Sequence, residues 1–140
     1  PGNQLREMVR VCKVGKVVGV VDLLSPEDGN VAKTYNRLER LRDPSHTVAM
    51  SKNRMARLLI ESGLVVNTIV MQDVEVDFQR WAQMTGTDPE TMETLQSELL
   101  KDIEDVTQTG MRPFIKDGVL KFLQIWSVFI GMKIAREQRT

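Results

Sequence analysis

The chain has few of the residues from which metal sites, disulfides and many catalytic sites are built. Its 140 residues include one histidine, His46, and one cysteine, Cys12. So small a supply predicts no metal site made of histidine and cysteine ligands. One cysteine also forbids an internal disulfide and is typical of a reducing compartment, so we expect an intracellular, cytoplasmic protein.

An excess of charge of either sign is also lacking, because 19 basic residues balance 19 acidic ones. The sequence therefore predicts no general attraction to nucleic acid or to an anionic membrane. Long apolar runs are missing as well. The longest candidate, residues 119–134, is interrupted by Lys121, Gln124 and Lys133. We predict no membrane-spanning segment, because such a segment needs about 18 apolar residues.

The short motifs that mark nucleotide, metal and hydrolase sites are absent. The sequence contains no GxGxxG, no HExxH, no CxxC and no GxSxG. The residues alone therefore give no catalytic signature. A chain of this length with 41% hydrophobic residues is long enough to bury a core, which predicts one domain over residues 1–140.

Apolar spacing and turn residues divide the chain into alternating helices and strands. A first helix is predicted from apolar residues that recur at helical spacing, with Cys12 buried among them and Gly15 suited to end it. The run Val17–Val21 has no alternation, which predicts a strand buried on both faces, as in parallel sheets.

Later segments continue the same pattern. Helices are predicted over residues 31–41, after the N-cap candidate Ser51, in one or two turns near Trp81, and after Asp88-Pro89. Strands are predicted over residues 64–76 and 119–134. This order indicates an α/β or α+β domain with about three strands and helices on the faces of the sheet.

Several stretches resemble class I S-adenosylmethionine-dependent methyltransferases. Residues 5–13, LREMVRVCK, resemble the helix before the family's fifth strand, and residues 15–22, GKVVGVVD, resemble that strand with its closing aspartate. The most specific stretch, NRLERLRDPSH at 36–46, is similar to a segment of small-molecule methyltransferases related to the ubiquinone and menaquinone biosynthesis enzymes. Residues 50–64 look like the following helix and its entry into the sixth strand, and residues 119–133 match the seventh strand in position.

The resemblance implies a partial Rossmann-like fold in which the fifth, seventh and sixth strands lie side by side, with the seventh antiparallel. The family's first four strands, its glycine-rich cofactor loop and its acidic ribose ligand have no counterpart. We therefore expect the C-terminal part of a methyltransferase fold without the cofactor-binding half. The full enzyme would use S-adenosylmethionine to methylate a small molecule, whereas this chain alone would bind no cofactor and be inactive. The alternative is a non-catalytic scaffold or dimerisation module derived from the same fold.

Candidate site residues follow from the resemblance. His46, in the loop expected to cover the active site, is the candidate catalytic residue, and Asp22, Arg42 and Asp43 are candidates for binding the substrate. Each has a plainer alternative. In these alternatives, His46 caps a neighbouring backbone group, Arg42 and Asp43 form a surface pair, and Asp22 caps the next turn. Four aromatic residues are predicted to pack in the core rather than to line a substrate pocket: Trp81, Phe122, Trp126 and Phe129.

The same resemblance leaves Val17–Val21 without the neighbouring strand that it has in a whole methyltransferase. Such an edge exposes unpaired backbone groups, and no lysine or proline lies within the run to block pairing. The sequence therefore predicts a homo-oligomer formed through this strand edge, with residues 16–22 and the helix at 4–13 in the contact.

Overall fold

The computed structural model describes residues 2–135, and a mixed sheet with helices on both faces organises them. The elements, in chain order, are α1 (Gly2–Val11), β1 (Val17–Leu24), α2 (Gly29–Arg42), α3 (Lys52–Glu61), β2 (Leu64–Asp77), α4 (Phe78–Gln83), α5 (Pro89–Ile103), β3 (Phe114–Lys116) and β4 (Val119–Lys133).

The strand order confirms the predicted arrangement. β4 lies between β1 and β2 and is antiparallel to both, so β1 and β2 run parallel to each other. The short strand β3 was not predicted, because three residues are too few to establish an alternating pattern. It pairs with the start of β4 across a turn in which Asp117 and Gly118 both have positive φ, which is the geometry of a two-residue hairpin.

Two groups of side chains form the core, one on each face of the sheet. On the face that we call the α1 face, Leu5 and Val9 of α1 and Leu59 of α3 pack with Phe129 of β4. On the opposite face, which we call the α2 face, α2, α4 and α5 pack against the beginning of β4. The buried members there include Tyr35, Leu38, Trp81, Leu95 and Phe122. The sheet therefore has a helical layer on each side.

The prediction that Val17–Val21 is buried on both faces is wrong. Val18 is buried on the α1 face, but Val17 is 61% exposed and Val21 is 65% exposed on the α2 face. The reason is the placement of the helices. Among the described residues, α2, α4 and α5 cover the α2 face near Leu23 and leave the earlier part of β1 uncovered. The valine run therefore has one buried and one exposed face, although its sequence is apolar throughout.

Helix ends follow the sequence closely. Ser51 and Asp88 cap α3 and α5, their side chains accepting hydrogen bonds from the backbone N–H groups of Arg54 and Thr91. Cys12, predicted to be buried, is only partly buried, because it lies beyond the last turn of α1. Within residues 2–135 no helix is long and apolar enough to cross a membrane.

Candidate functional site

A cavity of about 560 Å³ lies where β1 and β2 end, on the α2 face of the sheet. Because the two strands are parallel, their carboxyl ends meet at one edge of the sheet, which is where ligands bind in open α/β sheets. Leu23 and Val76 come from the strand ends, Gln124 and Trp126 from β4, and Arg42 and Trp81 from α2 and α4. The volume falls within the range typical of small-molecule sites.

Arg42, which lines this cavity, belongs to a buried ion pair with Glu39. The Glu39 side chain is fully buried, and one of its oxygens accepts a hydrogen bond from Arg42 Nη2 at 3.0 Å. Its other oxygen accepts one from Gln124 Nε2 at 3.2 Å. Glu39 lies on the inward side of α2 and joins that helix to the central strand. A buried ion pair adds little to stability, because desolvation offsets much of the attraction. Buried charged pairs in clefts are also common at functional sites.

The Arg42 guanidinium is further held by an aromatic stack. Its carbon atom lies 4.8 Å from the centre of the Trp81 ring, which is a cation–π distance. Trp81 in turn contacts Phe122 edge to face, with ring centres 5.0 Å apart. Thr85 and Thr87 both donate hydrogen bonds to the Arg42 carbonyl oxygen. The end of α2 is therefore fixed against α4 and the loop after it.

Tyr35, one turn before Glu39 on α2, stays protonated beside this pair. Burial, and secondly the Glu39 carboxylate, raise the pKa of the Tyr35 phenol well above its usual range. A protonated phenol next to a buried carboxylate adds no second negative charge. The positive charge of Arg42 is therefore balanced by the negative charge of Glu39.

At the mouth of the cavity the carboxylates have partners, whereas one arginine has none among the described residues. Glu75 is engaged by two lysines, with Lys116 Nζ at 3.0 Å and Lys121 Nζ at 3.5 Å from its oxygens. Hydrogen bonding to Lys116 is the main cause that holds the pKa of Glu75 below its usual range. Asp77 caps α4 by accepting from the Arg80 backbone N–H at 2.9 Å. The carboxylates here already have donors, whereas Arg80 has no ion-pair partner among residues 2–135.

Of the four residues proposed from the sequence, the structure brings only Arg42 to this cavity. His46 Nε2 lies 3.0 Å from Asn36 Oδ1, in the loop after α2. Asp43 accepts hydrogen bonds from the Ser45 backbone N–H and hydroxyl, which lower the pKa of Asp43. Asp22 Oδ1 accepts from the Leu23 backbone N–H at 2.8 Å. These contacts differ from the plainer alternatives as well: His46 contacts a side chain rather than a backbone group, Asp22 binds the next N–H within β1 rather than a turn, and Arg42 pairs with Glu39 rather than with Asp43.

Sequence reasoning missed Glu39 and Gln124, and it assigned the aromatic residues only in part. Phe122 and Phe129 are fully buried and Trp81 is 5% exposed, as predicted for core residues, but Trp126 is 42% exposed. Glu39 and Gln124 are 85 residues apart, so no local pattern links them. One signal was available: Glu39 follows Tyr35 by four residues and Leu38 by one, which places it on the apolar side of α2. Within residues 2–135 no cluster of three metal-binding side chains occurs.

The chain has the fold of methyltransferases of known structure. It superposes over 96% of its length on the proposed methyltransferase BH2331 from Bacillus halodurans C-125, with a TM-score of 0.86, 24% sequence identity and 63% of that chain covered. YcgJ from Bacillus subtilis gives a TM-score of 0.83 at 22% identity, with 96% of this chain and 58% of that chain covered. The fold is therefore Rossmann-like, of the methyltransferase type, as the sequence predicted.

Sequence relatives agree with this fold. The chain is 30% identical over 83 residues to the uncharacterized methyltransferase YcgJ of Bacillus subtilis strain 168, which covers 59% of this chain and 33% of the relative. It is 29% identical over 91 residues to the uncharacterized protein YafE of Escherichia coli strain K12, which covers 65% of this chain and 44% of that protein. No protein-family model matches the chain. The chain spans between a third and a half of the curated relatives that it matches.

Proposed function

We propose that this chain is the C-terminal portion of an S-adenosylmethionine-dependent methyltransferase that acts on a small molecule, and that it supplies part of the substrate side of the active site. The observation that carries the proposal is the antiparallel β4 lying between the parallel strands β1 and β2, in a chain that superposes on BH2331 over 96% of its length. The cavity at the strand ends supports a role in substrate binding.

The cavity does not fit the cofactor itself. S-adenosylmethionine carries a positive sulfonium. The cavity is lined by the cations Arg42, Arg80 and Lys121 and by the carboxylates Glu75 and Asp77, which already bind lysines and the first turn of α4. The chain also has no GxGxxG loop to approach the cofactor closely. We therefore assign to this chain the binding and orientation of the methyl acceptor, with Arg42 as the residue that contacts it. The roles first assigned to His46, Asp22 and Asp43 stay predictions.

The proposal is tested by two titrations with S-adenosylmethionine. We expect calorimetry of the chain alone to give no binding tighter than about 1 mM. A chimera that adds the N-terminal part of BH2331 not covered by this chain is expected to bind near about 1 µM, a free energy of about −8 kcal/mol. In the chimera, His46→Ala should lower turnover if His46 assists the acceptor. Micromolar binding by the chain alone, or none by a folded chimera, contradicts the proposal.

The second candidate is a scaffold or dimerisation module without catalysis. The open edge of β1 favours it. Within the described part of the chain, β4 is the only strand that pairs with β1, the other edge has one bridge from Leu24 to Met50, and Val17 and Val21 are exposed. A homo-oligomer formed through this edge is compatible with either function. The chimera distinguishes the two candidate functions. A module that has lost its active site binds no methyl acceptor even when the cofactor half is supplied.

A further inference from the structure

Part of the α2 face of the sheet is apolar and uncovered, and we call it the open strip. Its residues are Val17 and Val21 of β1, Val65 and Val70 of β2, and Val128 and Ile130 of β4. The four valines of β1 and β2 have exposed fractions between 42% and 65%. Every side chain that the three strands place on this face over residues 17–21, 65–70 and 126–132 is uncharged. A contiguous apolar patch of this kind marks an interface.

The same three strands are covered on the α1 face. Val18, Leu64 and Phe129 point to that side and are at most 6% exposed, because α1 and α3 pack on them. Sheets that contain parallel strands usually have helices on both faces. Within residues 2–135, the open strip has no helix of this kind above it.

The dimensions of the open strip fit one α-helix. The outer strands β1 and β2 lie about 10 Å apart, because each is one strand spacing from β4, and a helix is about 10 Å wide. Along β4 the uncharged face runs from Trp126 to Met132, which is about 20 Å and equals the length of about 13 helical residues. Since α2, α4 and α5 cover the neighbouring part of this face, a helix on the open strip would continue their layer.

The shared methyltransferase fold indicates where such a helix would come from. BH2331 superposes on 96% of this chain, but only 63% of BH2331 is covered. The rest of that fold must therefore pack beside the part that the two proteins share. The α1 face is closed by α1 and α3, whereas the open strip is accessible and adjoins the free edge of β1.

We propose that the open strip binds an amphipathic helix that belongs to the cofactor-binding half of a methyltransferase, with the apolar side of that helix on β1, β4 and β2. The inference rests on the proposed function, of which it names the partner. Trp126 connects this contact to the cavity at the ends of β1 and β2, because it lies at the end of the open strip and also lines that cavity. The docked helix therefore adds a wall to the cavity, which is complete only when both halves meet.

Cysteine labelling measures whether the open strip is covered. Val21→Cys and Val70→Cys are made separately in a Cys12→Ser background, and mass spectrometry follows their reaction with a maleimide. In the chain alone, both should react rapidly and independently of protein concentration. In the chimera with the N-terminal part of BH2331, both should react at least about tenfold more slowly, because labelling then requires the helix to open.

Ile60 provides the matched control position. It lies on α3, is 59% exposed, and belongs to the helical layer of the α1 face. Ile60→Cys in the same background should therefore react equally fast in the chain and in the chimera. Equal slowing at Ile60 and at the open strip would overturn the proposal, because the protection would then be general.

The two test positions separate a docked helix from a second copy of the chain. Pairing through the edge of β1 would shield Val21 but leave Val70 reactive, since Val70 lies two strands away. A second copy packed on the open strip would slow labelling of the chain alone as its concentration rises. Either result overturns the proposal, as does rapid labelling of both positions in the chimera.

A second measurement applies if the chimera does not fold. The N-terminal part of BH2331 is then added as a separate polypeptide, and saturable protection of both positions supports the proposal, whereas no protection overturns it. The labelling is independent of the cofactor titration. A chimera that binds S-adenosylmethionine with both positions reactive contradicts this inference alone, and one that protects them without binding cofactor contradicts the proposed function while the docking contact stands.

Discussion

At Gly110 both the backbone conformation and the packing of neighbouring side chains oppose a larger residue. Its φ is +77°, and a Cβ atom there would lie 2.5 Å from Pro26 Cγ and 2.9 Å from Val31 Cγ1. Gly110→Ala should therefore lower the free energy of unfolding by about 2–5 kcal/mol, since a left-handed residue costs about 1–2 kcal/mol and overpacking about 1–3 kcal/mol. Urea denaturation measures the change.

Gly118 provides the matched control for that substitution. Its φ is +75°, but a Cβ atom there meets nothing within 4 Å. Gly118→Ala should cost only the conformational part, about 1–2 kcal/mol. Equal losses in the two variants would show that the contact with Pro26 and Val31 does not matter.

At the scale of elements, Asn36 connects α2 to the loop that follows it. Its amide nitrogen donates to the carbonyl oxygens of Ala32 and Ala49, and its Oδ1 accepts from the Ala49 N–H at 2.7 Å and lies 3.0 Å from His46 Nε2. The loop therefore returns to the buried side of α2. The chain then forms a parallel bridge between Met50 and Leu24 and enters α3.

Removal of the Asn36 amide should detach this loop. Asn36→Ala leaves the N–H and C=O of Ala49 buried without partners, which should cost about 2–4 kcal/mol and speed hydrogen exchange at the Ala49 amide. His46→Ala removes one contact of the same amide and should cost less. A loss in His46→Ala as large as that in Asn36→Ala would contradict this account.

These contacts also explain what the sequence could and could not predict. The stretch from Asn36 to His46 stands out in the sequence, and its first and last residues meet in a structural hydrogen bond. Helix caps such as Ser51 were predictable because cap and helix are adjacent. The pair of Glu39 with Gln124 was not, since it depends on where β4 lies. The exposure of Val17 and Val21 depends on which helices cover β1, and the residues of β1 do not determine where those helices lie.

For the molecule as a whole, the uncovered part of the α2 face is the most prominent surface. Pairing with β4 places Val17, Val21 and Val70 on that face together with Trp126, and their exposed fractions are 61%, 65%, 55% and 42%. A contiguous apolar patch on a sheet usually marks an interface. The adjoining edge of β1 offers unpaired backbone groups at the same place.

Gly19 allows the proposed oligomer to be tested without disturbing the core. It lies in the middle of β1, faces the same side as Val17 and Val21, and a Cβ atom added there meets nothing within 4 Å. Gly19→Lys therefore adds a charge at the exposed face and edge, which should shift a dimer toward monomer by about tenfold or more in Kd, because an edge-strand lysine opposes pairing. Gly19→Ala, which adds no charge, should leave the dimer intact. Light scattering over micromolar concentrations measures the association, and circular dichroism checks that each variant is folded. A monomer in the unchanged chain, or a dimer equally stable in both variants, would exclude the edge of β1 as the interface.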